Sequence, residues 1–210
     1  QILCEILNER DDAVAERAYA PWVDLEAELR AAGLPLFSVG NHRPAVEFDV
    51  VAFNLSAELT FTNVLNCIDL AGVPLRSADR TGDHPLVGAG GHCTTNPEPL
   101  ADFLDFVVLG DGEEAVGELT EVIACSKRAG VADRQELLEA LAEVEGVYVP
   151  SLYEPVYSGS GDLIETVAIA ASAPDVVEKR TVADLAEWPY PRNQLVPLTE
   201  VVIEKAVIVE

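Results

Sequence analysis

Over the first 146 residues, short continuous apolar runs alternate with segments whose apolar positions recur at helical spacing. The runs "FDVVAFNLS", "PLVGAG" and "DFVVLG" predict strands at 48–56, 85–90 and 105–110, the first covered on both faces. Helical periodicity predicts helices at 21–33, 57–72, 98–104, 112–130 and 133–144. Strands that alternate with helices predict a doubly wound, mainly parallel sheet, an α/β fold of the Rossmann-like or flavodoxin-like kind.

The first twenty residues carry a weaker pattern. Residues 2–9 have apolar positions at helical spacing, but the run is too short to exclude a strand. Residues 13–21 alternate and end at a proline, which predicts a short strand. In the helix that follows, Trp22, Leu25 and Leu29 fall on one apolar face, and Gly33 ends the helix.

The pattern changes after Gly146. Two β-rich runs surround "SGSGD", which predicts a β-hairpin at 147–172. The remainder, 173–210, is punctuated by prolines and predicts an extended linker or arm that packs on another domain. The predicted organisation is therefore a sheet domain at 1–146, a hairpin appendage and an arm.

Charge and composition narrow the function. The 210 residues carry 37 acids against 13 basic residues, a net charge of −24, which disfavours direct binding of nucleic acid. Such acidity is also typical of a solubility adaptation. The sequence shows neither an apolar run long enough to span a membrane nor a signal peptide, which favours a cytoplasmic protein. Because the chain begins with Gln1 and lacks methionine, we expect its true start to lie upstream.

Familiar catalytic and metal-binding motifs are absent from the sequence. The four cysteines are widely spaced without a CxxC pair, and the three histidines form no metal-ligand pattern. A complete GxGxxG, a P-loop and a GxSxG elbow are also missing. We therefore predict no metal site and no catalytic residue within these residues.

Three loops should meet where the predicted parallel strands end, which is where open α/β sheets bind ligands. They span 54–63, 90–96 and 110–114. Gly90 and Gly91 would let the backbone approach a bulky ligand closely. The hydroxyl groups available for hydrogen bonds to such a ligand belong to Ser56, Thr60, Thr62, Thr94 and Thr95. The alternative is structural: glycines are common in tight strand–helix turns, and Asp111 and Glu113 suit the start of a helix.

A family resemblance rests on the second and third loops. "GGHCTTNPEPLADFLDFVVLGDGEEAVGEL" resembles a pattern of the cobalamin-binding-type domains of radical S-adenosylmethionine proteins. Three wider stretches resemble the N-terminal domain of the radical S-adenosylmethionine family that is paired with DUF2344-type proteins. They are "ILNERDDAVAERAYAPWVDLEAELRAAGLPLFSV", "FDVVAFNLSAELTFTNVLNCIDLAGVPLRSADR" and "VPLTEVV".

The resemblance implies a catalytic barrel downstream, whose CxxxCxxC loop holds a [4Fe–4S] cluster and binds S-adenosylmethionine. No CxxxCxxC occurs here, so this chain should not cleave S-adenosylmethionine by itself. It also implies an upstream segment with the first strand, which makes 2–9 the first helix. A DUF2344-type protein is the implied partner besides the chain's own barrel.

For cobalamin, the resemblance implies a site on the three loops. The glycine pair would let the nucleotide tail pass, and Asn54, Leu55 and Ser56 would stand for the family's S-x-L element in altered order. The remaining implied contacts are Thr60, Thr62, His92, Thr94, Gly110, Asp111, Gly112 and Glu113. The DxHxxG motif that supplies a lower axial histidine in related domains is absent from the sequence.

Two functions stay open at this point. The domain binds cobalamin or shapes the substrate and cofactor face of the barrel, or it is a docking or substrate-recognition module without a cofactor. A third, weaker alternative is a stand-alone nucleotide-binding or response-regulator-like domain. It would need a phosphoacceptor aspartate at the end of the first strand, which the chain does not show.

Overall fold

The computed structural model describes residues 2–131, 133–184, 186 and 188. Within them, a four-stranded sheet has the order β1 (Val50–Asn54), β2 (Leu86–Gly90), β3 (Phe106–Val108) and β4 (Val147–Tyr148). The first three strands are parallel, with Val51 opposite Val87 and Ala89 opposite Val107, and β4 runs antiparallel to β3. The predicted α/β class with a mainly parallel sheet is confirmed.

Helices cover both faces of this sheet. They are α1 (Ile2–Asn8), α2 (Val23–Ala32), α3 (Phe61–Leu70), α4 (Gly112–Ala129) and α5 (Arg134–Ala142). Because side chains alternate along a strand, Val87 and Ala89 pack in the core beneath α3, whereas Leu86 packs with α4 and α5 on the other face. The short α1 lies against α4.

The prediction that β1 is covered on both faces holds only at its start, where Val50 packs with the core on the α4 and α5 side. Val51 and Phe53 pack toward the core beneath α3, but Ala52 and Asn54 on the opposite face are exposed. Among the described strands β1 lies at the edge of the sheet, and beyond Val50 the helices on that face pack on side chains of β2, β3 and β4, such as Leu86. A continuous apolar run does not distinguish an edge position from a central one.

The predicted strand at 13–21 is also wrong, because these residues join no β-ladder. Their backbone bonds instead to loops and side chains: the Val39 N–H donates to the Arg17 carbonyl at 2.8 Å, and the Ala15 N–H to Asn8 Oδ1 at 2.8 Å. Alternation alone does not make a strand without a partner strand.

The short helix predicted at 98–104 is a 3-10 helix at Glu98–Leu100 followed by a turn. Pro97 and Pro99 supply no N–H groups, which leaves too few donors for a regular α-helix. The helix predicted at 57–72 begins instead as a 3-10 helix, Glu58–Thr60, before α3.

The predicted hairpin is confirmed as β5 (Tyr153–Tyr157) and β6 (Leu163–Ala168). The Tyr148 and Tyr153 rings lie 4.9 Å apart and join the hairpin to the main sheet. Residues 173–184, here called the arm, follow it and form no helix or strand. The rest of the predicted arm lies outside the described residues apart from 186 and 188.

A buried charge cluster anchors the edge of the sheet at which the parallel strands begin. Asp105, just before β3, accepts hydrogen bonds through Oδ2 from Arg80 at 2.8 Å, Arg134 at 2.8 Å and the Val87 N–H at 2.6 Å. The Arg80 side chain is fully buried, and its other donors reach backbone carbonyls such as that of Phe103. The cluster ties β2, β3 and α5 together on the side away from the predicted ligand loops.

Candidate functional site

The three predicted loops do meet at the edge where β1, β2 and β3 end, called here the carboxyl edge. The Cys93 N–H donates to the Leu55 carbonyl at 2.9 Å, which joins the second loop to the first. The Thr94 hydroxyl lies 2.6 Å from the Gly91 carbonyl and 3.1 Å from the Val108 carbonyl, which joins it to β3. Parallel strand order brings these loops together, as the sequence predicted.

Gly91 makes room for the chain's own backbone. Its φ of +111° lies in a region that other residues rarely adopt. A Cβ at this position would lie 2.7 Å from Asn54 Oδ1 and 2.8 Å from the Leu55 carbonyl oxygen. The glycine pair predicted that another group approaches the backbone closely here. At Gly91 that group is the end of β1.

Gly90 is different. Among the described residues, a Cβ built here would come no nearer to another residue than 4.0 Å, from the Cβ of Val108. The glycine pair therefore divides into Gly91, where a side chain would clash with the protein, and Gly90, where a Cβ would make an ordinary contact with Val108.

The third loop is occupied by the arm. Gly110 has a φ of +98°, and a Cβ there would overlap the Arg180 carbonyl. The Arg180 N–H donates to the Leu109 carbonyl at 2.9 Å, and the Asp111 N–H donates to the Arg180 carbonyl at 3.1 Å. The Val182 N–H then donates to Asp111 Oδ2 at 2.8 Å. Residues 180–182 thus lie along the end of β3, and Arg180 forms a single parallel β-bridge with Gly110.

Two glutamates of α4 hold the Arg180 guanidinium. Its Nη2 lies 2.9 Å from Glu114 Oε2 and 2.6 Å from Glu118 Oε1, and its Nη1 lies 2.9 Å from Glu118 Oε2. The Glu118 contact is therefore bidentate, which is a strong geometry for an arginine and a carboxylate. These hydrogen bonds raise the pKa of Arg180, and the bond to Arg180 lowers the pKa of Glu118.

Of the other predicted site residues, four are exposed, and the rest are buried or contact the protein itself. Asn54, Ser56, Thr62 and His92 are exposed at the carboxyl edge. Leu55 and Thr94 are buried, and the Thr60 hydroxyl caps its own turn through the Ala57 carbonyl. Gly112 faces the Leu3 side chain of α1, and Glu113 is half-buried in the first turn of α4.

An apolar groove lies at the start of α2, where the sequence indicated only that Trp22, Leu25 and Leu29 share one face of the helix. Leu29 is buried, but Trp22 is 77% exposed and Leu25 48% exposed. The groove has a volume of about 200 Å³. The residues that line this Trp22 groove are Tyr19, Ala20, Pro21, Trp22, Leu25, Leu29, Leu36, Phe37 and Val39.

The arm contact was missed as well. The sequence predicted a helix at 112–130 and an arm at 173–210, but no contact between Glu114, Glu118 and Arg180. The sequence shows only two acids one helical turn apart and an arginine more than sixty positions away. Helical periodicity predicts contacts within one helix, so it does not connect the arginine to them.

The described residues contain no cluster of three or more His, Cys, Asp or Glu side chains suited to a metal ion. No helix in the described part of the chain is long and apolar enough to cross a membrane.

Comparison with known families identifies the class of protein. The family model described as radical SAM proteins, N-terminal, matches residues 1–150, where SAM is S-adenosylmethionine. The chain therefore belongs to this family, and its α/β sheet is a radical SAM N-terminal domain. Neither a curated protein nor a solved structure gives a significant match to the chain.

Proposed function

We propose that this domain is a docking module that holds the catalytic domain of a radical SAM protein against its carboxyl edge. The observation that carries the proposal is the fastening of residues 180–182 along the end of β3. The family description, radical SAM proteins, N-terminal, supports a catalytic domain that follows this one, and on this proposal the arm leads toward it.

The fastening determines where the following chain departs. Backbone bonds at Leu109 and Asp111, together with the ion pairs of Arg180, hold the arm at the carboxyl edge. A tether that starts from a defined point raises the effective concentration of the following domain near that point. A weak contact between the domains is then enough for docking.

The exposed carboxyl-edge loops would face the catalytic domain and shape the surface on which its substrate lies. Asn54, Ser56, Thr62 and His92 present amide, hydroxyl and imidazole groups there. The net charge of −24 disfavours a nucleic-acid phosphate backbone as a ligand of this domain itself.

The experiment is to replace Arg180 with methionine in the full-length protein, with Lys179→Met as the matched control. Lys179 is exposed, whereas Arg180 is buried. We expect Arg180→Met to speed amide exchange at residues 180–182 and to increase the radius of gyration measured by small-angle X-ray scattering. If exchange rises in the arm while the radius of gyration matches that of the control, the arm does not position the following domain.

Cobalamin binding is the second candidate, and it is favoured by Gly90, where an added Cβ would not clash with the protein. The glycine positions at Gly91 and Gly110 do not support it, since chain atoms fill both. A titration of the full-length protein with cobalamin, followed by corrin absorbance after gel filtration, tests this candidate. Retention by the unsubstituted protein and its loss in Gly90→Leu would favour cobalamin over the docking module without cofactor. The pairing with a DUF2344-type protein and the cytoplasmic location stay predictions.

A further inference from the structure

The strongly exposed large apolar side chains of this domain are unevenly distributed. Seven of the fifteen in the described residues lie between positions 14 and 39, and the Trp22 groove is centred among them. All nine residues that line the groove are apolar or aromatic, in a chain in which 24% of residues are charged. An uncharged groove on so acidic a protein is typical of a binding surface.

The Trp22 end of the groove lies at the carboxyl edge. Glu26 of α2 accepts a hydrogen bond from Asn66 of α3, and Arg30, one turn later, reaches Asp69 at 2.8 Å. Arg30 also donates to Asn66 at 2.8 Å, and the Leu36 N–H, which follows α2, donates to the Leu70 carbonyl at the end of α3 at 2.8 Å. The two helices therefore end on the same side of the domain and run in the same direction. Since α3 begins at the carboxyl edge, α2 also begins there, with Trp22 as its N-cap residue.

A second exposed side chain lies at the same edge. Leu59, in the 3-10 helix that leads into α3, is 91% exposed. Trp22 and Leu59 thus stand at the starts of two parallel helices, on the edge from which the arm departs at Val182. Exposed tryptophans dominate binding energy in many interfaces because they bury a large, rigid surface.

We propose that the Trp22 groove and Leu59 are the anchor points of the catalytic domain that follows the arm. This inference rests on the proposed function and adds the residues that make the contact. The occupant is part of the same protein because residues 180–182 fix the departure of the chain at this edge. A tethered domain therefore meets the groove at high effective concentration. An apolar contact also avoids the repulsion that the acidic surface would impose on an acidic partner.

The experiment uses the full-length protein with a protease site inserted after residue 193. After cleavage, the affinity between the two halves is measured by biolayer interferometry for the unsubstituted protein, Trp22→Ser and Leu59→Ser. Leu34→Ser is the matched control, because Leu34 is 55% exposed just after the opposite end of α2. We expect Trp22→Ser to weaken the association about 30-fold and Leu59→Ser about 5-fold, with the control within about twofold. Thermal unfolding of each variant verifies that the fold is kept.

The outcomes separate the two proposals. If the unsubstituted halves fall apart after cleavage, docking itself fails and both proposals are overturned. If they stay together and the Trp22 and Leu59 variants bind like the control, the anchor assignment is overturned and docking stands. If the substitutions instead change only the self-association measured by sedimentation, the groove receives a second copy of the protein, which also overturns the anchor assignment.

Discussion

The substitution Gly91→Ala tests whether Gly91 accommodates the protein's own backbone at the end of β1. The backbone at Gly91 has φ +111° and ψ −179°, a conformation used almost only by glycine, and forcing alanine into it costs about 1–3 kcal/mol. The added Cβ would also lie 2.8 Å from the Leu55 carbonyl oxygen, and shifting that backbone adds about 1–2 kcal/mol. We therefore expect Gly91→Ala to lower the free energy of unfolding by about 3 kcal/mol, with no ligand present.

Gly90→Ala is the matched control, since its Cβ would lie 4.0 Å from the nearest atom of another residue. We expect its free energy of unfolding to stay within about 0.5 kcal/mol of the unsubstituted chain. The free energies are measured by urea unfolding, followed by circular dichroism. In thermal unfolding, the melting temperature should fall by about 6–12 °C for Gly91→Ala and stay unchanged for Gly90→Ala. Equal stability of the two variants would refute the argument that Gly91 accommodates the end of β1. In that case, a ligand would be the better explanation of the glycine.

Three further predictions concern other parts of the domain. Asp105→Asn should lower the free energy of unfolding in urea by about 3–5 kcal/mol, because Arg80 and Arg134 lose their buried carboxylate. The control, Asp102→Asn, removes an exposed carboxylate and should change that free energy by less than about 0.5 kcal/mol. The arm's arginine lowers the pKa of Glu118 below its ordinary 4.5, so this contact stabilises the arm fully above pH 4.5 and is lost as pH falls through the lowered pKa. Amide exchange in the arm, corrected for intrinsic rates, should therefore rise on acidification, and a pH-independent protection would contradict this. Burial raises the pKa of Cys67, so iodoacetamide at pH 8 should modify the exposed Cys125 at least about tenfold faster than Cys67, and equal rates would be the contrary result.

Local patterns predicted most of the elements, because the periodicity of apolar residues records which side chains face a core. The runs around Val51, Val87 and Val107 are strands, and the helical segments before Gly33 and Gly130 are helices that end at glycines in the left-handed conformation. Parallel order then follows from the alternation of strands and helices, and it brings the predicted loops to one edge.

The sequence alone also indicated close approach at the two glycine loops, but it could not identify what approaches. Gly91 faces the end of β1, and Gly110 faces Arg180, which is seventy positions further along the chain. Likewise, the apolar spacing of α2 is the same whether Trp22 packs in the core or faces solvent, and it is exposed. Periodicity describes how side chains alternate within one element. Which distant segment fills a space depends on contacts between elements, and only the tertiary structure decides those.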